Sequence, residues 1–155
     1  MNNELLTGVK KMAKQLTIFL ENRPGRLSAV AKSLRENNID IRAFTVQDRG
    51  DYGLVKLIVG NPDQAHLALV DLGCACALKE ILAISVPDNI GNFELLTAAL
   101  AQNNINVKDA YGFVLQPHQK GVCCLEIEES QTSAAQKVIE SAGFSILKDD
   151  ELYNL

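Results

Sequence analysis

Several residue types that mark particular protein classes are scarce in this sequence of 155 residues. It has no tryptophan, aromatic residues make up 5%, and there are only four prolines and four cysteines. No apolar run approaches the roughly 18 residues that a membrane-spanning helix needs, and the first residues lack the apolar core of a secretory signal. A cytoplasmic protein that does not associate with membranes is therefore expected.

Charge of neither sign dominates, because 15 basic and 19 acidic residues give a net charge of −4. A protein that binds nucleic acid through its phosphates needs a basic face, so no nucleic-acid partner is expected. Apolar residues make up 47%, as in an average soluble globular protein. The length suits one ordinary domain or two small ones. A fold of about 150 residues buries about 68–70% of the surface that its unfolded chain exposes.

The cysteines are Cys74, Cys76, Cys123 and Cys124, and none of them forms a Cys-x-x-Cys pair. Neither a disulfide framework in a non-secreted chain nor a metal site with the usual zinc spacings is expected. All four residues lie within apolar runs, which predicts that they behave as small core hydrophobes.

The sequence repeats itself. Segment 21–41 aligns with segment 87–107 at a constant offset of 66, which places Gly25 on Gly91. Further along, the offset grows to 68 and then 70, as insertions in loops produce. Two copies of one unit of about 70 residues therefore fill the chain.

Each copy predicts the order strand–helix–strand–strand–helix–strand from its alternating and helical apolar patterns. In the first copy these elements are strand 15–21, a helix carrying Leu27, Val30, Ala31 and Leu34, strands 39–47 and 53–60, helix 62–72 and strand 74–78. In the second copy they are strand 80–86, helix 91–103, strands 105–115 and 121–128, helix 132–142 and strand 144–148.

This order predicts an α+β fold of two tandem ferredoxin-like βαββαβ units, each an antiparallel sheet with both helices on one face. The predicted division is an N-terminal extension over 1–13, a first domain over 14–78 and a second over 79–155. The acidic run at 149–151 is interpreted as a solvated tail.

Residues for catalysis are lacking. The only histidines, His66 and His118, are far apart in the sequence. No Gly-rich phosphate loop, no H-E-x-x-H and no G-x-S-x-G motif occurs. We therefore expect no catalytic residue, no cofactor and no metal ligand.

The segment around Gly25 is the most informative. Asn22 is predicted to cap a helix that has Pro24 in its first turn, and Gly25 leaves the helix N-terminus open. Free N–H groups at such a terminus make an anion pocket. A plain capped helix start without a ligand remains the alternative.

The same segment resembles the opening of an ACT domain, whose pattern is Asp or Asn, any residue, Pro, Gly, any residue, Leu. Asn22, Pro24, Gly25 and Leu27 match it, and Asp40 occupies a second family position at the entry to strand 2. From about residue 14 to 155 the chain resembles stand-alone tandem ACT proteins without a catalytic domain. It is similar to the regulatory domains of phosphoglycerate dehydrogenase and of acetolactate synthase small subunits.

The resemblance implies a free amino acid bound at an interface between ACT modules. Its carboxylate would meet N–H groups near Gly25, Arg26 and Leu27, with Asn22 adding a bond. Asp40 of a neighbouring module would pair with the ammonium group, although a solvated carboxylate is the alternative. Arg23 and Arg26 would add positive potential, although a solvated side chain at the start of the helix is the alternative for each.

The second copy departs from the pattern, because Ile90 replaces Pro and Phe93 replaces Leu. Asp88 is expected to satisfy its own helix N-terminus and to repel a ligand carboxylate, and the uncharged Asn106 replaces Asp40. The first copy is therefore predicted to carry the better site. The candidate ligand-binding residues are Asn22, Arg23, Gly25, Arg26, Leu27, Asp40, Asp88, Gly91, Asn92, Phe93 and Asn106.

The expected function is that of a non-catalytic amino-acid sensor, a homodimer whose state is read by a metabolic enzyme. The alternative is a regulatory subunit or interaction module of a metabolic enzyme with no ligand of its own. A small enzyme or metal carrier on the same fold is disfavoured, since a carrier needs a Cys-x-x-Cys loop where residues 22–25 stand. Which amino acid binds is not written in the sequence.

Overall fold

The structure is a computed structural model that describes residues 12–155. Two compact units make up this part of the chain. The first unit comprises Lys14–Glu80 with Tyr153–Leu155, and the second comprises Ile81–Leu152 with Met12 and Ala13. The expected N-terminal extension lies outside the described residues, except for its last two. Of these, Ala13 is a buried residue of the first strand.

The first unit has both helices of the predicted pattern and its antiparallel strands. Its elements are β1 (Ala13–Glu21), α1 (Arg26–Glu36), β2 (Ile41–Asp48), β3 (Tyr52–Val59), α2 (Pro62–Asp71) and the first part of β4 (Ala75–Val86). The strand order is β2-β3-β1-β4, with β3 antiparallel to both β1 and β2. This is the ferredoxin-like arrangement that the sequence predicts.

The second unit repeats the pattern. Its elements are the rest of β4, α3 (Asn92–Gln102), β5 (Val107–Gln116), β6 (Lys120–Ile127), α4 (Thr132–Ser141), β7 (Ser145–Ile146) and α5 (Asp149–Tyr153). One turn of 3-10 helix, Glu129–Gln131, precedes α4. In this sheet β6 pairs with β5 and β4, and β7 pairs with β4, all antiparallel.

The structure differs from the sequence expectation near the boundaries of the units. Strand β4 is continuous where two strands are predicted, and the division into units falls inside it, between Glu80 and Ile81. The acidic run at 149–151 forms the first turn of α5, where the positive end of the helix dipole stabilises negatively charged carboxylates. Leu152, fully buried, holds this short helix in place.

Each unit has its own core between the sheet and its helices. In the first unit, alternate residues of β1, β3 and the helices bury their side chains, as predicted for a sheet covered on one face. The buried stripe of α1 is Val30, Ser33 and Leu34, whereas Leu27 is 46% exposed and Ala31 is exposed. The predicted stripe is wrong at these two positions, because Ser33 faces α2 and donates to the Ala68 carbonyl at 3.5 Å.

The cysteines follow their predicted role to different degrees. Cys123 and Cys124 are buried in β6, and Cys74 and Cys76 are half-buried beside the core of the first unit. Among the helices of residues 12–155, none combines the length and apolar character that a bilayer crossing requires.

Candidate functional site

The first loop, residues 22–25, leads into α1. Gly25 is the N-cap with φ 88°, and no side chain caps the helix. Within the described chain, no acceptor lies within bonding distance of the N–H groups of Leu27 and Ser28. The predicted open helix N-terminus is therefore present, with donors that suit an anion.

The predicted capping by Asn22 is wrong. The Asn22 side-chain amide donates to Asp48 Oδ1 and to the Gly50 carbonyl, both at 3.1 Å. Since Gly25 in its left-handed conformation is the N-cap, Asn22 lies three residues before the helix cap and reaches the β2–β3 turn instead. Its side chain fastens the first loop to this hairpin.

The arginines near the first loop are on the surface. Arg23 places its Nε 3.6 Å from the Glu21 carboxylate, and Arg26 is the exposed first residue of α1. Exposed ion pairs of this kind contribute little to stability. Both arginines are solvated side chains at the start of the helix.

Asp40 lies at the other end of α1. Eleven residues of helix, rising about 1.5 Å each, place it about 16 Å from the first loop. Its carboxylate is 67% exposed and pairs with Arg42 Nη1 at 3.0 Å. Arg42 also binds the C-terminal tail, Tyr153–Leu155, by donating to the carbonyls of Tyr153 and Leu155 at 2.9 and 2.8 Å. The first unit by itself does not bring Asp40 to Asn22.

The second loop, residues 87–91, has the same backbone geometry. Gly91 is the N-cap of α3 with φ 94°, again without a side-chain cap. The N–H groups of Phe93 and Glu94 find no acceptor among residues 12–155. Asn92 turns its amide away from them and donates to the Pro87 carbonyl at 2.9 Å.

The expectation that Asp88 satisfies these N–H groups is wrong. Asp88 Oδ2 accepts from the His118 N–H at 2.7 Å, so the carboxylate holds the second loop to the β5–β6 turn. This is the counterpart of Asn22 in the first unit. Asn106 does not belong to the second loop, and it is exposed just before β5. Its backbone N–H donates to Gln131 Oε1 at 3.2 Å.

A cleft of about 420 Å³ lies between the second loop, β5 and β6. This volume is within the range of small-molecule sites. Among the predicted residues it brings together Asp88, Asn92 and Phe93, and Gly91 starts the helix beside them. The floor includes three small residues that the sequence reasoning missed: Ala110, Gly112 and Cys123.

The repeat explains why this space exists. Gly112 pairs across the strands with Cys123, just as Val46 pairs with Val55 in the first unit. At the offsets of 66 and 68, Ala110, Gly112 and Cys123 replace Phe44, Val46 and Val55. Three large-to-small replacements on one sheet face leave room above the strands. Comparing the copies for side-chain size would have revealed the cleft from the sequence.

The cysteine in the cleft wall is uncharged at neutral pH. Burial raises the pKa of Cys123 to about 11. On the opposite face, burial raises the pKa of Cys124 to about 12 and also raises that of Tyr111, whose hydroxyl bonds to the Cys124 thiol. Asp88 is the one charged side chain among those that line the cleft.

The cleft therefore has two polar features of opposite character. The N-terminus of α3 presents free N–H donors, which favour an anion. Asp88 presents a carboxylate, which favours a cation. A zwitterion fits this arrangement. In residues 12–155 no group of three or more His, Cys, Asp or Glu side chains is placed to hold a metal ion.

Comparison with known proteins agrees with this fold. Protein BT0572 from Bacteroides thetaiotaomicron superposes with a TM-score of 0.86 and 27% identity, over 94% of this chain and 99% of the other. The regulatory subunit of aspartate kinase from Thermus thermophilus, in a ligand-free form, gives a TM-score of 0.59 and 18% identity, over 86% and 93%.

E. coli aspartokinase III, in complex with lysine and aspartate, gives a TM-score of 0.50 and 16% identity, over 86% of this chain and 32% of the other. Among curated proteins, none matches the sequence. The family model described as an ACT domain pair matches residues 11–155. With nearly its whole length covered and both βαββαβ units in place, the chain belongs to the ACT domain pair family.

Proposed function

We propose that this protein is a non-catalytic regulatory protein that binds a free amino acid, with the cleft of the second unit as its main ligand site. The observation that carries the proposal is the cleft itself. It adjoins a helix N-terminus with two free N–H groups and is lined by a single carboxylate, Asp88.

The ligand would lie with its carboxylate on the N–H groups of Phe93 and Glu94. Its ammonium group would pair with Asp88, whose Oδ1 is not used by the His118 bond. Charge-assisted hydrogen bonds of this kind are stronger than neutral ones. This proposal moves the main site from the first loop to the second, because the cleft lies there.

The first loop is proposed as a second site. Its N–H donors at Leu27 and Ser28, with Arg23 and Arg26 nearby, could receive a carboxylate. The ammonium group would then need Asp40 of a neighbouring copy, since the chain's own Asp40 lies at the far end of α1.

Similar folds support a regulatory role. The neighbours include a regulatory subunit of aspartate kinase and an aspartokinase bound to lysine and aspartate. By this likeness in fold, a metabolic enzyme is the proposed partner. Ligand binding would act by stabilising one conformation or assembly over another, which requires only a difference in affinity between the two states.

A homodimer is also proposed. Apolar side chains are exposed in this region, at Ile90 in the second loop and at Phe93 and Val114 in the cleft lining. Exposed apolar patches of this kind mark interaction sites. A second copy that covered them would also shield the ligand from water.

The second candidate function is a regulatory subunit with no ligand of its own. The first unit favours it, because the Asn22 amide and the Asp40 carboxylate already have partners within the chain. Such a protein would co-purify with an enzyme, and no amino acid would change its melting temperature.

Thermal unfolding of the full chain with each of the twenty amino acids separates the candidates. A ligand at one hundred times its Kd adds about 2.7 kcal/mol to the free energy of unfolding. For a chain of this size, that raises the melting temperature by about 5–10 °C. If no amino acid shifts the melting temperature, the binding proposal is wrong and the second candidate stands.

A further inference from the structure

We infer that the ligand of the second-unit cleft is an amino acid with a neutral apolar side chain. This inference rests on the proposed function, because it concerns the same site. Two observations support it: the charge and the size of the side chains that line the cleft.

Charge excludes an ionic ligand side chain. Asp88 is the one charged side chain in the lining, one of its oxygens accepts from His118, and the other faces the ligand ammonium group. A second charge on the ligand would face mostly apolar side chains and would find no charged partner in the lining, which is unfavourable. The Cys123 thiol offers no charge, since its pKa is raised well above neutrality.

The sizes of the lining residues indicate where the side chain of the ligand lies. In the first unit the equivalent sheet face carries Phe44, Val46 and Val55, whereas the second unit carries Ala110, Gly112 and Cys123. The missing apolar volume is the space that the ligand side chain fills.

The experiment is calorimetric titration of the full chain with a homologous series: L-alanine, L-2-aminobutyrate, L-norvaline and L-norleucine. Each buried methylene raises the affinity about four-fold, so norleucine binds about 60-fold more tightly than alanine. Lysine has the same four side-chain carbons as norleucine with an added ammonium group, and it binds at least about ten-fold more weakly than norleucine. Aspartate is also weaker.

Ala110→Phe places the first unit's residue in the cleft. Ala110 is exposed on β5, so this substitution is compatible with folding. We expect norleucine to lose its advantage in this variant and to bind about as weakly as alanine. Phe44→Ala in the first unit is the matched control, and it leaves the series unchanged. Cys123→Val is a second variant that narrows the same floor, and it too lowers norleucine affinity.

The outcomes distinguish the two proposals. If no amino acid binds, the proposed function and this inference both fail. If lysine or aspartate binds as tightly as norleucine and Ala110→Phe weakens it, the site stands and the inference is overturned. A flat series from alanine to norleucine overturns the inference as well.

Discussion

Substitution of Asp88 separates the structural role of this residue from its proposed role in binding. Its carboxylate accepts from the His118 N–H at 2.7 Å, and His118 holds φ at 60°, in the left-handed region. That backbone conformation costs a non-glycine residue about 1–2 kcal/mol, so the bond helps to hold the turn. Asp88→Asn keeps an accepting oxygen, whereas Asp88→Ala removes it.

The two variants should therefore differ in stability. Asp88→Asn changes the free energy of unfolding by less than about 0.5 kcal/mol. Asp88→Ala loses a surface hydrogen bond and lowers the free energy of unfolding by about 1 kcal/mol. Urea unfolding measures both, and Asn22→Ala is the matched control, since Asn22 fastens the first loop to its hairpin in the same way.

Both variants should lose ligand affinity alike. A hydrogen bond to a charged group contributes about 1.5–3 kcal/mol, so losing the Asp88 charge weakens norleucine binding about 10- to 150-fold. Calorimetric titration measures this loss, and Asn22→Ala leaves the affinity unchanged. If Asp88→Asn binds norleucine as the unmodified chain does, Asp88 does not hold the ammonium group and the ligand orientation proposed above is refuted.

Three further predictions concern stability. Burial raises the folded-state pKa of Cys123 to about 11 and that of Cys124 to about 12, whereas an unfolded thiol has a pKa of about 8.5. The stability that the two thiols contribute is therefore complete below about pH 8.5 and is lost as the pH rises towards about 11 and about 12. Urea unfolding between pH 8 and 10 should show a loss of up to about 1.4 kcal/mol per pH unit per thiol. Alanine at both positions should remove this part of the pH dependence and leave the part that comes from Cys76 and Tyr111, whose pKa values are also raised. In Gly91→Ala the added Cβ meets no atom within 4 Å, but alanine must adopt the φ of 94° that glycine has here. Thermal unfolding should therefore show a loss of about 1–2 kcal/mol in the free energy of unfolding. No loss would contradict the left-handed cap. Arg42→Ala removes the donors that hold the C-terminal tail, so hydrogen exchange of the tail amides should accelerate, whereas unchanged protection would contradict this anchoring.

Local signals in the sequence predicted the elements well. Asn61 followed by Pro62 marks the start of α2, and the Asn61 side chain accepts from the Gln64 N–H at 3.1 Å. Gly25 predicted an open start for α1, and it adopts the left-handed conformation, as does Gly91 at the equivalent place before α3. Such features depend on a few neighbouring residues, which is why they can be read without the fold.

Features that depend on distant residues were missed or wrong. Asn22 and Asp88 were expected at their helices, but each bonds to a hairpin turn that is more than 25 residues away in the chain. The cleft follows from the register of β5 and β6, which brings Gly112 opposite Cys123. A single pass along the sequence does not show which small residues will face each other.

The most direct test of the central claim is nuclear magnetic resonance of the 15N-labelled full chain during titration with L-norleucine. The account predicts saturable shifts of the backbone amide signals of Phe93, Glu94 and Gly112, all at the second-unit cleft. Absence of any shift, or shifts confined to Leu27 and Ser28 in the first unit, would contradict it.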